Sequence, residues 1–178
     1  TGVAGHTSMC EDDPEKNAVN MKRLRDTIDL TDELRQDGEP AITASLIGGR
    51  EDEWETKKEL IAERVAALGD YAASHGVIFA VEPHSGTAFD LPERALWLME
   101  TLNHPAVRLN FDISHFDIRG IGIDECVPQM VPWSVSTHVK DQRGIYPNHE
   151  FLTPGSGPFD FVHYLTAMHA AGYTGFIG

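Results

Sequence analysis

Cysteine is scarce in this sequence. The 2 cysteines, Cys10 and Cys126, lie far apart and form no CxxC pair, which excludes a disulfide-rich scaffold and a paired-cysteine zinc or redox motif. The sequence leaves open whether these two cysteines form a single disulfide. The chain starts at Thr1 without a charged segment followed by a long apolar stretch, so we expect no signal peptide. These features favour a reducing, cytoplasmic location.

Basic residues and long apolar runs are also lacking. The chain has 14 basic residues against 28 acidic ones and a net charge of −14, whereas a nucleic-acid surface needs clustered Lys and Arg. The longest purely apolar run, Val77–Val81, is too short to cross a bilayer. We therefore expect no nucleic-acid partner and no membrane span.

The residues that are present alternate between helical periodicity and short apolar runs. Asp13 before Pro14 is a typical helix start, and apolar residues then recur at helical spacing to about Arg35. Further helices are predicted from near 51 to 75, at 91–103 and around 161–168. Strands are predicted at 41–47, 77–82, 107–112, 134–140 and 173–177, with a strand tail at 1–5. The stretch 121–131 is ambiguous, because Pro128 limits any long helix.

Strands that alternate with helices through short connections predict an α/β fold with a parallel sheet. The two candidates are a doubly wound sheet and a (β/α)8 TIM barrel. The doubly wound fold is disfavoured, because no glycine fingerprint for a dinucleotide or phosphate opens any of the helices. A complete barrel needs about 250 residues, and this chain has 178. We therefore expect one domain over residues 1–178, a TIM barrel incomplete at both termini.

Polar residues lie at the carboxyl ends of three successive predicted strands. Glu82 ends one strand, Asp112 ends the next, and His138 lies near the end of the third. In parallel α/β proteins these ends form the rim on which active sites are built. Each residue alone has an ordinary explanation, such as a helix cap. Together, three oxygen or nitrogen donors from neighbouring strands predict one divalent-cation site.

Five segments resemble, in order and spacing, the sugar phosphate isomerase/epimerase group of the xylose-isomerase-like TIM barrels. They read VEPH at 81–84, NFDISH at 110–115, STHVKD at 136–141, PGSGPFDF at 154–161 and AGYTGFI at 171–177. The resemblance covers the chain from about Ala18 onward. The same superfamily includes the endonuclease-IV-type DNA repair enzymes, so the resemblance specifies the fold better than the substrate.

The resemblance implies roles for individual residues. Glu82, Asp112 and His138 match the metal ligands of the group, and His115 matches a histidine that contacts a substrate oxygen. Further substrate contacts are implied at Lys140, at Arg143 and, at the end of the first strand, at His6. For the segment 140–143 a solvated loop is an equally good interpretation. A fourth ligand, a glutamate, is expected just beyond Gly178.

The chemistry implied is isomerisation or epimerisation of a sugar or sugar-like hydroxy-keto compound through an enediolate. A divalent cation, Mn²⁺, Mg²⁺ or Co²⁺, would stabilise the enediolate as a Lewis acid. Glu82 would be one member of the proton-transferring pair and the glutamate expected beyond Gly178 the other. His115, which would contact a substrate oxygen, is a further catalytic residue. Ala88 stands where ketose 3-epimerases carry a second glutamate, which argues against that subgroup.

The sequence leaves other functions open. A related lyase such as an inosose dehydratase would use the same metal and base. Abasic-site cleavage of the endonuclease-IV type is disfavoured by the charge of −14 and by the single histidine in each strand motif. A non-catalytic fragment or binding protein is a third alternative. The exposed strand edges of an incomplete barrel also favour association into a homo-oligomer.

Overall fold

Five of the six predicted strands, counting the tail at 1–5, pair side by side in one parallel sheet. In the computed structural model, which describes residues 2–178, the sheet order is β1-β2-β3-β4-β5. The strands are β1 (Gly2–Ala4), β2 (Ile42–Leu46), β3 (Ile78–Glu82), β4 (Val107–Asp112) and β5 (Ser134–His138). The part of the predicted strand tail that falls on Thr1 lies outside the described residues. The predicted α/β class and parallel sheet are thus confirmed, with five described strands of a barrel that has eight when complete.

The helices begin and end where local chemistry favours it. They are α1 (Pro14–Glu33), α2 (Trp54–Ser74), α3 (Pro92–Leu102), α4 (Ser114–Asp117), α5 (Ile123–Met130) and α6 (Phe161–Ala170). The Asp13 carboxylate accepts hydrogen bonds from the backbone N–H groups of Glu15 and Lys16, which caps α1 behind Pro14. Gly76, at a φ of 64°, turns the chain from α2 into β3.

The core lies between the outer face of the sheet and the helices. Phe79, Val81 and Leu109 on the strands pack against helix residues such as Ile61 and Leu68, and all five side chains are fully buried. The inner face of the sheet carries the intervening residues of each strand. It borders a cavity of about 240 Å³ between β1, β2, β4 and β5. The two-residue period of a strand therefore separates an apolar layer outside from a partly polar layer inside.

Two regions differ from the sequence prediction. The predicted strand at 173–177 is reduced to one parallel bridge, between Ile177 and Thr137. The ambiguous stretch 121–131 contains the eight-residue helix α5, which includes Pro128. Among the described residues, no helix combines the length and apolar character needed to cross a membrane.

A hairpin follows β5 that the sequence did not predict. It consists of β6 (Asp141–Ile145) and β7 (Asn148–Leu152), paired antiparallel from Asp141 opposite Leu152. Asp141 and Gln142 are buried, so the solvated-loop interpretation of 140–143 is wrong for these two residues. The Asp141 carboxylate accepts N–H groups from Gly155, Gly157 and Phe159, which fixes the following glycine turn against the base of the hairpin.

Both cysteines are free thiols with no exposed reactive surface. Cys10 is 3% exposed and Cys126 is fully buried, and burial raises their pKa values to about 11 and about 12. Because only the thiolate reacts, we expect neither thiol to react with Ellman's reagent at pH 8 while the protein is folded. Both should react at once in denaturant. Rapid labelling of either thiol in the native protein would contradict the buried position.

Candidate metal centre

Three strand ends bring the predicted ligands together. Glu82 is the last residue of β3, Asp112 the last of β4 and His138 the last of β5, with Asp112 and His138 directly paired in register. One ligand atom from each side chain lies within 4.8 Å of the other two. Glu82 and Asp112 are 5% and 1% exposed, whereas the His138 side chain is half-exposed. The arrangement is a buried pair of carboxylates with one imidazole at its open side.

Asn110 orients two of the three candidate ligands. Its Nδ2 donates to Glu82 Oε2 at 2.6 Å and lies 3.1 Å from His138 Nδ1. Ser136 Oγ donates to Asn110 Oδ1 at 2.8 Å and so sets the orientation of the amide. The sequence interpretation missed Asn110. The spacing gives a partial signal, because Asn110 lies two residues before Asp112 and therefore on the same face of β4. Its contacts with Glu82 and His138 depend on the register between strands.

The third ligand, Asp112, is held by its neighbours and by Lys140. Asp112 Oδ1 accepts hydrogen bonds from the backbone N–H and the hydroxyl of Ser114, at 2.9 and 2.6 Å. Lys140 Nζ donates to Asp112 Oδ2 at 2.6 Å and lies 3.2 Å from His115 Nε2. The Lys140 ammonium also lies 4.5 Å from the centre of the Phe151 ring. Lys140 thus places a positive charge directly beside the candidate metal ligands.

The electrostatics favour a charged carboxylate at Glu82. Burial alone would raise the pKa of Glu82, but hydrogen bonds and charge from His115 and His138 outweigh it and hold the pKa well below its usual range. The hydrogen bond to Glu82 raises the pKa of His138 against the effect of burial. Glu82 Oε2 and His138 Nδ1 are 3.2 Å apart. The ionised Glu82 carboxylate therefore supplies negative charge at this position, which is what a cation site requires.

A second group of potential ligands shares Glu82. Glu82, His84 and His115 each offer an atom within 4.8 Å of the other two. The two imidazole rings lie 3.8 Å apart between centroids, and both contact Ser85. His115 is fully buried, and burial lowers the pKa of His84. The sequence left His84 open between a functional and a structural role and did not single out Ser85.

Arg143 and His6, two of the predicted substrate contacts, lie apart from this cluster. Arg143 forms an exposed ion pair with Glu150 across the hairpin, at 2.6 Å. His6 follows β1 and is exposed, and its Nδ1 accepts the backbone N–H of Leu46 at 3.3 Å. Both residues are on the rim side of the fold, and neither contacts Glu82 in the structure.

The hairpin forms one wall of the site. The Phe151 ring meets the His115 ring edge-on at 5.3 Å, and His149 packs on Phe151 at 4.8 Å. At the tip, Tyr146 donates its backbone N–H to the Ile118 carbonyl at 2.8 Å. The Arg119 guanidinium lies 4.3 Å from the centre of the Tyr146 ring. Contacts at both ends therefore hold this wall against the barrel rim.

The fold and the rim site define a β/α-barrel protein, and comparison with known proteins identifies the family. Residues 1–178 match the family model described as xylose isomerase-like TIM barrel, so the chain belongs to that family. A curated relative, an inosose dehydratase from Geobacillus thermodenitrificans (strain NG80-2), is 28% identical over 140 residues. That match covers 70% of this chain and 46% of the relative, so the chain spans about half the length of that protein.

Solved structures show the same fold at low identity. The apo 3-keto-D-glucoside 4-epimerase from E. coli superposes with a TM-score of 0.81 at 14% identity, over 99% of this chain and 69% of that one. A xylose isomerase-like TIM barrel protein from Mycobacterium smegmatis, in complex with magnesium, gives a TM-score of 0.77 at 22% identity, over 99% and 64%. At these identities the likeness concerns the fold alone.

Proposed function

We propose that the protein is a metal-dependent isomerase or epimerase of a sugar or sugar-like hydroxy-keto compound. The observation that carries the proposal is the convergence of Glu82, Asp112 and His138 on the barrel rim. Sugar-processing proteins among the structural relatives support the substrate class. We also propose that residues 1–178 belong to a single barrel domain and that the protein works in the cytoplasm, where its two free thiols would stay reduced.

The three side chains suit a divalent cation. Two carboxylates and one imidazole are the donors that Mn²⁺, Mg²⁺ and Co²⁺ accept. The Asn110 amide supplies the hydrogen bonding around the ligands that metal sites need, because it restrains both Glu82 and His138. When bound, the cation would act as a Lewis acid and stabilise negative charge on the carbonyl and hydroxyl oxygens of the substrate.

The protein's own residues would bind the substrate and move its proton. Glu82 stays ionised and can accept a proton from the carbon next to the carbonyl. His115 and Lys140 lie beside Glu82 and Asp112, where both can contact substrate oxygens. The Phe151 ring contacts both His115 and Lys140. With a substrate bound, it would help to exclude water from these groups and so strengthen their interactions.

A lyase on the same site is the second candidate, favoured by the 28% identical inosose dehydratase. Both reactions begin with removal of a carbon-bound proton, so they share Glu82 and the cation. They differ in the product, since the lyase eliminates water and the isomerase returns the proton. Mass spectrometry of the product separates the two, because loss of 18 mass units marks dehydration.

Calorimetric titration with Mn²⁺ tests the metal centre directly. We expect saturable binding that weakens by at least about 100-fold in Asp112→Asn. The matched control is Asp124→Asn, because the Asp124 side chain is 81% exposed and bonds only to His163 among the contacts described. Exchange of carbon-bound protons with D2O, followed by NMR over a panel of ketoses and keto-inositols, identifies the substrate. Equal Mn²⁺ affinity in Asp112→Asn and wild type would overturn the proposed centre.

A further inference from the structure

We propose that Arg119 is a positioning residue, which holds the hairpin at 141–152 against the barrel rim and so sets the position of Phe151 on His115. It acts through Tyr146 at the hairpin tip. The consequence for catalysis rests on the proposed function, whereas the position of the hairpin can be measured without any substrate.

One nitrogen of Arg119 joins two carboxylates from different loops. Arg119 Nη2 donates to Glu51, which follows β2, and to Asp90, which follows β3. Arg94 Nη1 donates to the other oxygen of Asp90 at 2.8 Å and to the backbone carbonyl of Glu51 at 3.1 Å. The Asp90 side chain is only 1% exposed, and that of Arg119 is 17% exposed. The network therefore fixes two rim loops to the segment that follows α4.

The same network holds the tip of the hairpin. The Arg119 guanidinium carbon lies over the Tyr146 ring, 4.3 Å from its centre. The Tyr146 hydroxyl donates to the Glu51 carboxylate, and this hydrogen bond raises the pKa of Tyr146. The backbone N–H of Tyr146 donates to the Ile118 carbonyl at 2.8 Å. Tyr146 is thus held at its ring, its hydroxyl and its backbone.

The contacts of Arg119 exceed what charge pairing alone requires. Both carboxylates use Nη2, and a single ammonium nitrogen could serve them equally well. Arg119 Nε is buried and has no hydrogen-bond partner among residues 2–178. Charge pairing therefore leaves most of the guanidinium unexplained, whereas its place over the Tyr146 ring accounts for it.

A row of rings connects the hairpin tip to the candidate site. Tyr146 packs on His149 at 5.6 Å, His149 on Phe151 at 4.8 Å, and Phe151 on His115 at 5.3 Å, between ring centres. The Phe151 ring also lies 4.5 Å from the ammonium of Lys140. Because protein interiors are closely packed, a displaced tip should displace Phe151 relative to His115.

The segment that receives the hairpin also carries the site residue. His115 lies in α4, and Arg119 follows four residues later. Between them, Asp117 Oδ2 accepts a hydrogen bond from Gln142 Nε2 on β6 at 2.7 Å. One short segment therefore faces the candidate site at His115 and the hairpin at Asp117 and Arg119.

NMR of ¹³C-labelled histidine rings tests the position of the hairpin. The His115 signal, assigned by its loss in His115→Asn, is shifted by the ring current of Phe151, and Phe151→Leu gives its value without that ring. We expect Arg119→Met to move the signal toward the Phe151→Leu value. Arg119→Lys should give an intermediate value, because it keeps the charge between the carboxylates.

Two variants of Tyr146 leave the ion network intact. Tyr146→Phe removes only the hydroxyl, and Tyr146→Leu removes the ring as well. We expect both to move the His115 signal in the same direction, with the larger change in Tyr146→Leu. These variants decide the question if Arg119→Met does not fold, which circular dichroism would reveal.

The chain offers a matched control on its outer surface. The guanidinium carbon of Arg25 lies 5.8 Å from the centre of the Tyr71 ring, and the Tyr71 hydroxyl donates to Asp29 at 2.8 Å. This group has the same chemistry as Arg119, Tyr146 and Glu51 but lies on α1 and α2. Arg25→Met and Tyr71→Phe should leave the His115 signal unchanged.

The catalytic consequence has its own measurement. For each ketose or keto-inositol whose carbon-bound proton the wild type exchanges with D2O, kcat should fall by about 10- to 100-fold in Arg119→Met, with partial recovery in Arg119→Lys. Mn²⁺ affinity should stay within about threefold of wild type, because no candidate ligand is changed. A merely structural role would lower the melting temperature and leave kcat and the His115 signal unchanged in the folded variants.

The outcomes distinguish this inference from the proposed function. An unchanged His115 signal in folded Arg119→Met and Tyr146→Leu would overturn the positioning role. Loss of Mn²⁺ affinity beyond the expected range would also overturn it, since the effect would then reach the candidate ligands. If the wild type exchanges no proton but the His115 signal moves as expected, the hairpin contact is upheld and the proposed function fails.

Discussion

Replacing Asp141 by alanine is expected to lower the melting temperature of the protein by about 10 °C or more. The carboxylate is buried and accepts four backbone N–H groups, from Gln142, Gly155, Gly157 and Phe159, at 2.7 to 3.1 Å. Alanine would leave these donors buried without an acceptor, which costs more than the loss of a surface contact. Both the glycine turn and the hairpin wall should therefore loosen together.

Two variants and one control sharpen this prediction. Asp141→Asn keeps one side-chain oxygen and should melt between wild type and Asp141→Ala. Gly157→Ala should destabilise by a different route, because an added Cβ would overlap the Asp141 carboxylate. The control is Asp52→Ala, whose side chain is 76% exposed and should shift the melting temperature by no more than about 2 °C. Melting of Asp141→Ala, Asp141→Asn and Gly157→Ala at the wild-type temperature would contradict the role of Asp141.

The same carboxylate predicts a pH dependence with a definite sign. Burial alone would raise the pKa of Asp141, but the backbone N–H groups of Gly157, Phe159, Gln142 and Gly155 outweigh it and hold the pKa below 3.8. A depressed carboxyl pKa contributes stability that is complete above the unfolded value and is lost as the pH falls through the folded value. The difference in melting temperature between wild type and Asp141→Asn should therefore be constant above about pH 5 and shrink below 3.8.

Local patterns were sufficient to predict most of the sheet. The apolar run at 77–82 predicted β3, and the structure has that strand at Ile78–Glu82. The capped, periodic segment from Pro14 predicted α1, which ends at Glu33. Such elements follow from short-range spacing, because the period of the apolar residues matches the geometry of the element. The connection between parallel strands then determines which ends share a rim.

The hairpin at 141–152 could not be predicted in this way. Its strands are polar and short, and the structure stabilises them through contacts distant in sequence. Asp141 binds the turn at 155–159, and Tyr146 binds the rim through Ile118 and Arg119. None of these partners can be inferred from the spacing within the segment, so a solvated loop was an equally good interpretation.

The candidate site shows the same division between local and tertiary information. Glu82, Asp112 and His138 end neighbouring strands, so their approach followed from the parallel topology alone. The residues that orient these three ligands could not be inferred from the topology. Asn110 contacts Glu82 and His138 on two other strands. Its role therefore depends on the register between strands, which one sequence does not specify.

Replacing Glu82 by glutamine is expected to have the largest effect on function. The change keeps the shape of the side chain and removes the charge that faces His115 and His138. Under the proposed function, Mn²⁺ affinity should fall by at least about 100-fold, because a ligand is lost. Exchange of the substrate's carbon-bound proton should fall by about 1,000-fold or more, because the base is lost as well.

A comparison with His115→Asn separates proton transfer from metal binding. His115 contacts Glu82 and Asp112 but is not among the three proposed metal ligands, so its loss should leave Mn²⁺ affinity within about threefold of wild type. Proton exchange should still fall by about 100-fold, since a contact to the reacting oxygen is removed. The control is Glu150→Gln, on the exposed side of the hairpin, which should leave both quantities unchanged. NMR exchange rates beside calorimetry measure the two effects in the same samples. If Glu82→Gln kept both Mn²⁺ binding and exchange, the base would have to be another group, and the assignment of chemistry to the end of β3 would be wrong.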